Sequence, residues 1–163
     1  MRFFQARHAP LASGPVYCCQ TDGMLGLGCG ARSYASRLHY SSRFAVEHAG
    51  VQAILNEWVT RTEDGFVHAD WGTYLSLEDR RRRFVIQSLL TRAGLLEAAY
   101  RRLFHQPVAD SFPELLSLVE HGLAERTAGK WRLTPLGFEL SDIIGPSLYS
   151  ASNRARLGAF AHL

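Results

Sequence analysis

The chain has 163 residues, 47% of them apolar, which is enough for one ordinary core, or for one domain with a fragment of another, and excludes a disordered protein. Its formal charge of +3 is mild and every basic residue except Lys130 is Arg, a skew that reflects genome composition more than a partner; Arg80 to Arg83 is the one dense basic run. No stretch approaches the roughly 18 apolar residues of a spanning helix, and Met1-Arg2-Phe3-Phe4-Gln5 lacks the apolar core of a signal peptide, so the reading is a soluble, untargeted protein.

Pro10, Ser13, Gly14 and Pro15 surround the short apolar run Val16 to Cys19, and a polar turn follows from Gln20 to Gly23, which predicts loops about one short strand. Such a piece has too little apolar surface to make a domain, and reads as the trailing edge of something larger. After the glycine turn Gly26-Leu27-Gly28-Cys29-Gly30, Ser41 or Ser42 is expected to cap a helix reaching about Thr60, with Val51, Ile54, Leu55 and Trp58 on an inward face. Arg61 to Tyr74 is polar and glycine-punctuated. Ser76, followed by Glu78 and Asp79, then starts a helix to about Arg92, which leaves Arg80 to Arg83 partly on the face opposite its apolar residues. Beyond Gly94, a third helix is expected over Leu95 to Phe104.

Ser111-Phe112-Pro113-Glu114 has the spacing of a capping box ahead of a helix to about His121, ended by Gly122 in the left-handed position. Leu123 to Thr127 and Lys130 to Leu133 flank Ala128-Gly129 as a hairpin, and Thr134-Pro135 opens a last helix with Thr as cap and Pro in the first turn. The expected fold is thus mainly α with a small β-hairpin, an α+β winged-helix-like domain over 41–150. A short strand and glycine turn over 1–40 precede it, and 151–163 is a tail.

A glycine-rich turn lets backbone approach a ligand because no Cβ intervenes. A dinucleotide site needs G-x-G-x-x-G opening a helix, and here the third glycine comes one residue too soon. What remains is a plain tight turn or a ligand-facing turn completed by a neighbour. Cys18, Cys19 and Cys29 lack the spacing of metal or cluster ligands and fit a reducing cytoplasm, with Cys29 a packed small residue rather than a nucleophile paired with His39. The expected recognition helix, Ser111 to Glu125, carries Glu114, Glu120 and Glu125 and no Lys or Arg, which argues against binding to phosphate backbones.

Three motifs in order carry a resemblance: Gly26-Leu27-Gly28-Cys29-Gly30-Ala31-Arg32-Ser33-Tyr34, Ser76-Leu77-Glu78-Asp79-Arg80-Arg81-Arg82-Arg83-Phe84-Val85-Ile86, and Leu133-Thr134-Pro135-Leu136-Gly137 before Ile143-Ile144. Together they resemble the C-terminal part of radical SAM proteins of the oxygen-independent coproporphyrinogen III oxidase type, over roughly Met24 to Tyr149. The resemblance implies that the glycine turn closes a partial barrel beside S-adenosylmethionine, with Gly26, Gly28, Gly30, Ala31 and Arg32 lining the cofactor edge. It also implies that the helical domain caps the substrate side, the substrate being porphyrin-like or another small molecule. The family's oxidases have an apolar residue where Arg32 stands, a departure that suits a different substrate, because a guanidinium can meet a carboxylate.

The family's three cluster cysteines lie upstream of this sequence, so the 4Fe-4S cluster and the S-adenosylmethionine site belong to the complete protein and the chain alone is not expected to be catalytic. A missing N-terminal barrel is the implied partner, from the same gene with Met1 an internal methionine, or from a split one. The rival readings are a stand-alone winged-helix interaction or DNA-binding module using Arg80 to Arg83, and a degenerate, inactive protein.

Overall fold

In the computed structural model the described residues are 23–43, 45–69 and 71–160. The expected strand at Val16 to Cys19, and with it Cys18 and Cys19, lies outside them. The chain divides into two compact units, with the boundary between Tyr74 and Leu75. Among the described residues it is mainly helical, with two small antiparallel sheets.

The first unit contains β1 (Arg32–Tyr34), β2 (Leu38–Ser41), α1 (His48–Thr60), α2 (Glu63–Phe66) and β3 (Trp71–Tyr74). The strands form one antiparallel sheet in the order β1-β2-β3, with Arg32 opposite Ser41 and Ser41 opposite Trp71. Met24 extends it by one bridge to Tyr34. Ser41 is therefore a strand residue, and α1 begins later than the sequence suggests, at His48 behind Glu47, which makes no side-chain capping bond. Ile54 alone is a buried hydrophobic among the described residues of this unit; Val51 and Leu55 of the expected inward face are exposed. The stretch read as polar loop contains α2 and β3. β3 is only four residues long, too short to announce itself by periodicity, and its pairing with β2 creates it.

The second unit runs through α3 (Leu77–Leu89), β4 (Leu95–Leu96), α4 (Glu97–Phe104), α5 (Val108–Ser111), α6 (Glu114–Glu120), β5 (Ala124–Thr127), β6 (Lys130–Leu133), α7 (Pro135–Glu139), α8 (Ser141–Ser147) and α9 (Ala151–Phe160). Ser76 caps α3 in a full capping box: its hydroxyl accepts from the Asp79 backbone amide at 3.0 Å while the Asp79 carboxylate accepts from the Ser76 amide at 3.1 Å. The hairpin closes on Ala128-Gly129, both with positive φ, which is the geometry that matches the twist of its strands. Gly122 takes the left-handed position after α6, and Thr134 accepts from the Gly137 amide to cap α7 with Pro135 in its first turn.

Two expectations fail here. Leu95 and Leu96 open no helix, because they pair with Trp131 and Lys130 as the edge strand β4 of the sheet β4-β6-β5. The Ser111 capping box does not form: the Ser111 hydroxyl receives Tyr100 and Gln106 and donates to the Pro107 carbonyl, ending α5, while Glu114 turns to Arg82. Ala151–Phe160 of the expected tail form α9.

The core of this unit is continuous. Val85 and Leu89 of α3, Leu95 of β4, Tyr100 of α4, Val108 and Phe112 about α5, Leu115 of α6, Trp131 and Leu133 of β6, and Ile144 and Leu148 about α8 are all buried together. Tyr100 stands amid an aromatic cluster with Phe84, Phe104 and Phe112 at centroid separations of 4.8 to 6.1 Å, within the range of favourable ring contacts.

Candidate functional site

The glycine turn emerges from the bridge between Met24 and Tyr34 and leads directly into β1, so the five residues of the expected cofactor edge lie on one loop. Gly28 and Gly30 adopt positive φ of 100° and 71°, and a Cβ at either would meet nothing within 4 Å. Both present bare backbone to open space, which suits the approach of a ligand. Gly26 has another reason to be glycine. A Cβ there would stand 2.4 Å from the Arg32 carbonyl oxygen, so its side chain is excluded by the loop's own closure.

Two serines hold the loop, and sequence reasoning gave neither this role. Buried Ser33 accepts from the Gly26 amide at 3.0 Å, and Ser42 accepts from the Gly30 amide at 2.8 Å. The signal for Ser33 was its position, since β1 alternates and Ser33 takes its inward place between Arg32 and Tyr34. With these two amides already paired, any molecule lying on the loop meets Gly26 and Gly30 through close packing rather than by amide donation. Ala31 donates its amide to the Gly28 carbonyl at 3.2 Å, closing the turn, and Arg32 is exposed at the start of β1. Cys29 is exposed rather than packed.

The loop's surroundings are apolar for a surface. Leu25 and Leu27 are 69% and 86% exposed, and Val59, Val67, Trp71 and Tyr74 of the same unit are also exposed. Single exposed apolar residues are ordinary, but one buried hydrophobic against this many exposed ones among the described residues of the unit is the pattern of an interaction face.

In the second unit, Arg82 of the Arg run is a brace. Arg82 donates to Glu78 at 2.8 Å, to Glu114 at 2.9 Å and to the Leu148 carbonyl at 2.9 Å, tying α3 to α6 and to the end of α8. Burial works against its charge, and the bonds to Glu78 and Glu114 outweigh that, so Arg82 holds its proton more firmly than an ordinary guanidinium. Arg81 lies over the Phe104 ring at 5.9 Å. A second charged centre locks the hairpin: Glu97 accepts from Arg126 at 2.6 Å and from the buried Trp131 indole at 2.7 Å. The Arg126 bond lowers the Glu97 pKa most, burial opposes it, and the Trp131 bond adds to the lowering. Among the described residues, no group of three His, Cys, Asp or Glu side chains stands close enough to hold a metal ion, and no helix is long and apolar enough to cross a membrane.

The second unit is thus an α+β domain, with helices packed on a three-stranded antiparallel sheet and with Arg82 and Glu97 as internal braces. Residues 75–140 match the family model of the HemN C-terminal domain, so this part of the chain is similar to the domain that ends HemN-like radical SAM coproporphyrinogen oxidases. The match begins at the first residue of the second unit. No curated protein and no solved structure matches the chain.

Proposed function

We propose that the chain is the C-terminal region of a radical SAM oxidoreductase, in which its first unit closes the cofactor site of a barrel and its second unit caps the substrate side. The family match of residues 75–140 carries this reading. The exposed glycine loop supports the first part of it. Gly28 and Gly30 offer backbone where a Cβ would obstruct, and Leu25 and Leu27 offer apolar surface to a neighbouring structure.

On this reading the 4Fe-4S cluster and S-adenosylmethionine are held by the barrel, where the cluster supplies the electron that cleaves the cofactor. The chain's own contribution is to pack against that site and to orient the substrate. On this reading Gly28, Gly30 and Ala31 line the cofactor edge, Gly26 keeps the loop closed, and Arg32 is the residue that meets a substrate carboxylate. Because Cys18, Cys19 and Cys29 lack the spacing of cluster ligands, the chain depends on the barrel for catalysis. The substrate is a porphyrinogen or another small carboxylate, and the cell compartment is the cytoplasm.

The second unit is a winged helix on this account. Its chain order α3, β4, α4, α5 with α6, β5, β6, and its strand order β4-β6-β5, support that description. Its domain role is to contact protein or substrate, since α6 carries Glu114 and Glu120 and no Lys or Arg, and Arg82 is committed to Glu78 and Glu114. The test uses the complete protein. Arg32→Ile should leave S-adenosylmethionine binding intact and change the preference among carboxylate substrates; unchanged turnover of every substrate removes Arg32 from the site. Gly28→Val should weaken the cofactor, and an unaltered dissociation constant would remove the loop.

A further inference from the structure

A loop with Gly28 and Gly30 at positive φ has little shape of its own, because glycine backbone is the freest of all and even a Cβ at either position would meet nothing. Its hydrogen bonds impose the conformation it keeps. The base of the loop is closed by the paired backbone of Met24 and Tyr34, at 2.9 and 2.8 Å, and by the Gly26 amide, which donates to buried Ser33 at 3.0 Å. The tip is held differently. The bond from the Ala31 amide to the Gly28 carbonyl, at 3.2 Å, shapes the turn but travels with it. The tie to the body of the unit is the Gly30 amide, which donates to the Ser42 hydroxyl at 2.8 Å across 12 positions of sequence.

Ser42 is presented from a firm support. The register of β1 with β2 ends at the pair of Arg32 with Ser41, and Ser42 is the next residue along, so its side chain continues the ladder where the strands part. Ser41 is fixed on both sides, by Arg32 of β1 and by Trp71 of β3. Arg43, on the other side of Ser42, reaches Glu57 of α1 at 3.7 Å, and Ser42 and Arg43 line a small hollow with Ile54 and Trp58 of that helix. The hydroxyl therefore belongs to a strand end braced against α1, while the amide it holds belongs to a segment with few constraints of its own.

We propose that Ser42 is a positioning residue for the cofactor edge: by holding the Gly30 amide, it fixes the bare backbone of Gly28 and Gly30 in the conformation that meets S-adenosylmethionine. This rests on the reading of the glycine loop as the edge of the cofactor site. Ser42 acts through Gly30 and needs no contact with the cofactor itself. A loop already held in its bound shape loses less freedom on binding, and that is where the affinity comes from. The pairing of Arg32 with Ser41 does not pass through the Ser42 hydroxyl, so the effect is confined to the tip and leaves β1 in place.

Two measurements test this. In the full chain, amide exchange followed by nuclear magnetic resonance should show the Gly30 amide exchanging roughly tenfold faster in Ser42→Ala, with the Met24 and Tyr34 amides unchanged; Ser42→Thr, which keeps the hydroxyl, should restore the slow rate. In the complete protein, Ser42→Ala should raise the dissociation constant for S-adenosylmethionine, read by titration calorimetry, by roughly fivefold to tenfold at a nearly unchanged melting temperature, and Ser42→Thr should recover most of the loss. Gly28→Val in the same protein separates the proposal from the reading beneath it. If Gly28→Val weakens the cofactor and Ser42→Ala does not, the loop borders the cofactor and Ser42 does not position it. If neither does, the reading fails and the proposal with it. Gly30 exchange unaltered by Ser42→Ala, or an affinity loss that Ser42→Thr does not recover, would also overturn the proposal.

Discussion

Gly137→Ala sets two physical effects against each other. Gly137 lies inside α7, where replacing Gly with Ala ordinarily favours the helix by about 1 kcal/mol. It is also buried, and a Cβ there would stand 1.9 Å from the Leu123 carbonyl oxygen and 3.2 Å from the Leu133 Cβ. The obstacle is backbone, and it cannot swing aside: the Leu123 carbonyl accepts from the Thr134 amide at 3.0 Å, joining the entry of β5 to the exit of β6. Relief requires separating α7 from the root of the hairpin. Overpacking of that kind costs about 3 kcal/mol or more, and weakening the Leu123 bond adds about 1 kcal/mol. The steric effect wins, for a net loss of about 3 kcal/mol, which for a domain of this size lowers the melting temperature by roughly 12 to 24 °C. Thermal unfolding followed by circular dichroism reads this directly. Gly158→Ala in α9, where a Cβ meets nothing within 4 Å, is the control and should cost no stability. A melting temperature raised or unchanged by Gly137→Ala would show that the Leu123 carbonyl is no obstacle there.

Glu97→Ala should cost about 2 kcal/mol because it orphans the indole N–H of fully buried Trp131, whereas Arg126→Ala, at a largely solvated pair, should cost clearly less; urea titrations of both variants check the order. Ala128→Gly should stabilise the hairpin by about 1 kcal/mol, because Ala128 sits at φ 50° where a Cβ is strained, and the same titration reads it. Asp79 is pulled in two directions, burial raising its pKa and the bonds from Ser150 and Ser76, with the field of Arg156, lowering it to a net depression. Glu97 is depressed as well, so in acid the unfolded chain takes up protons before the folded one does. Both groups therefore stabilise the fold above their unfolded pKa values and lose that contribution as pH falls through the folded ones. Urea midpoints should be flat from neutrality to about pH 5 and fall below about pH 4. A midpoint that rises on acidification would contradict that sign. Anisotropy titration against duplex DNA at low salt should show no binding, since salt-sensitive association there would restore a nucleic-acid role for the second unit.

The second unit was legible because its local signals and its tertiary packing agree. Ser76 with Asp79, Gly122, Ala128-Gly129 and Thr134-Pro135 each specify a boundary by side-chain or backbone chemistry that needs no distant partner. Leu95 and Leu96 were misread because their strand is made by Trp131 and Lys130, over thirty positions away, and two residues carry no period of their own. Ser111 failed as a cap for a similar reason: Tyr100 and Gln106 compete for its hydroxyl, which the spacing to Glu114 does not reveal. In the first unit the apolar period of α1 was visible, but Val51 and Leu55 do not turn inward, and periodicity cannot say whether a face meets its own chain or another. The glycine loop was legible as a loop. That Gly26 is excluded by the Arg32 carbonyl, while Gly28 and Gly30 face open space, was not.

The proposed union of this chain with a radical SAM barrel is tested most directly by anaerobic purification of the native protein through an affinity handle on the second unit, followed by mass spectrometry and iron analysis. The predicted result is a longer polypeptide, or a stoichiometric complex, that contains a C-x-x-x-C-x-x-C segment, about four iron atoms per chain and bound S-adenosylmethionine. A single 18.2 kDa polypeptide, free of iron and of any such partner, would contradict it.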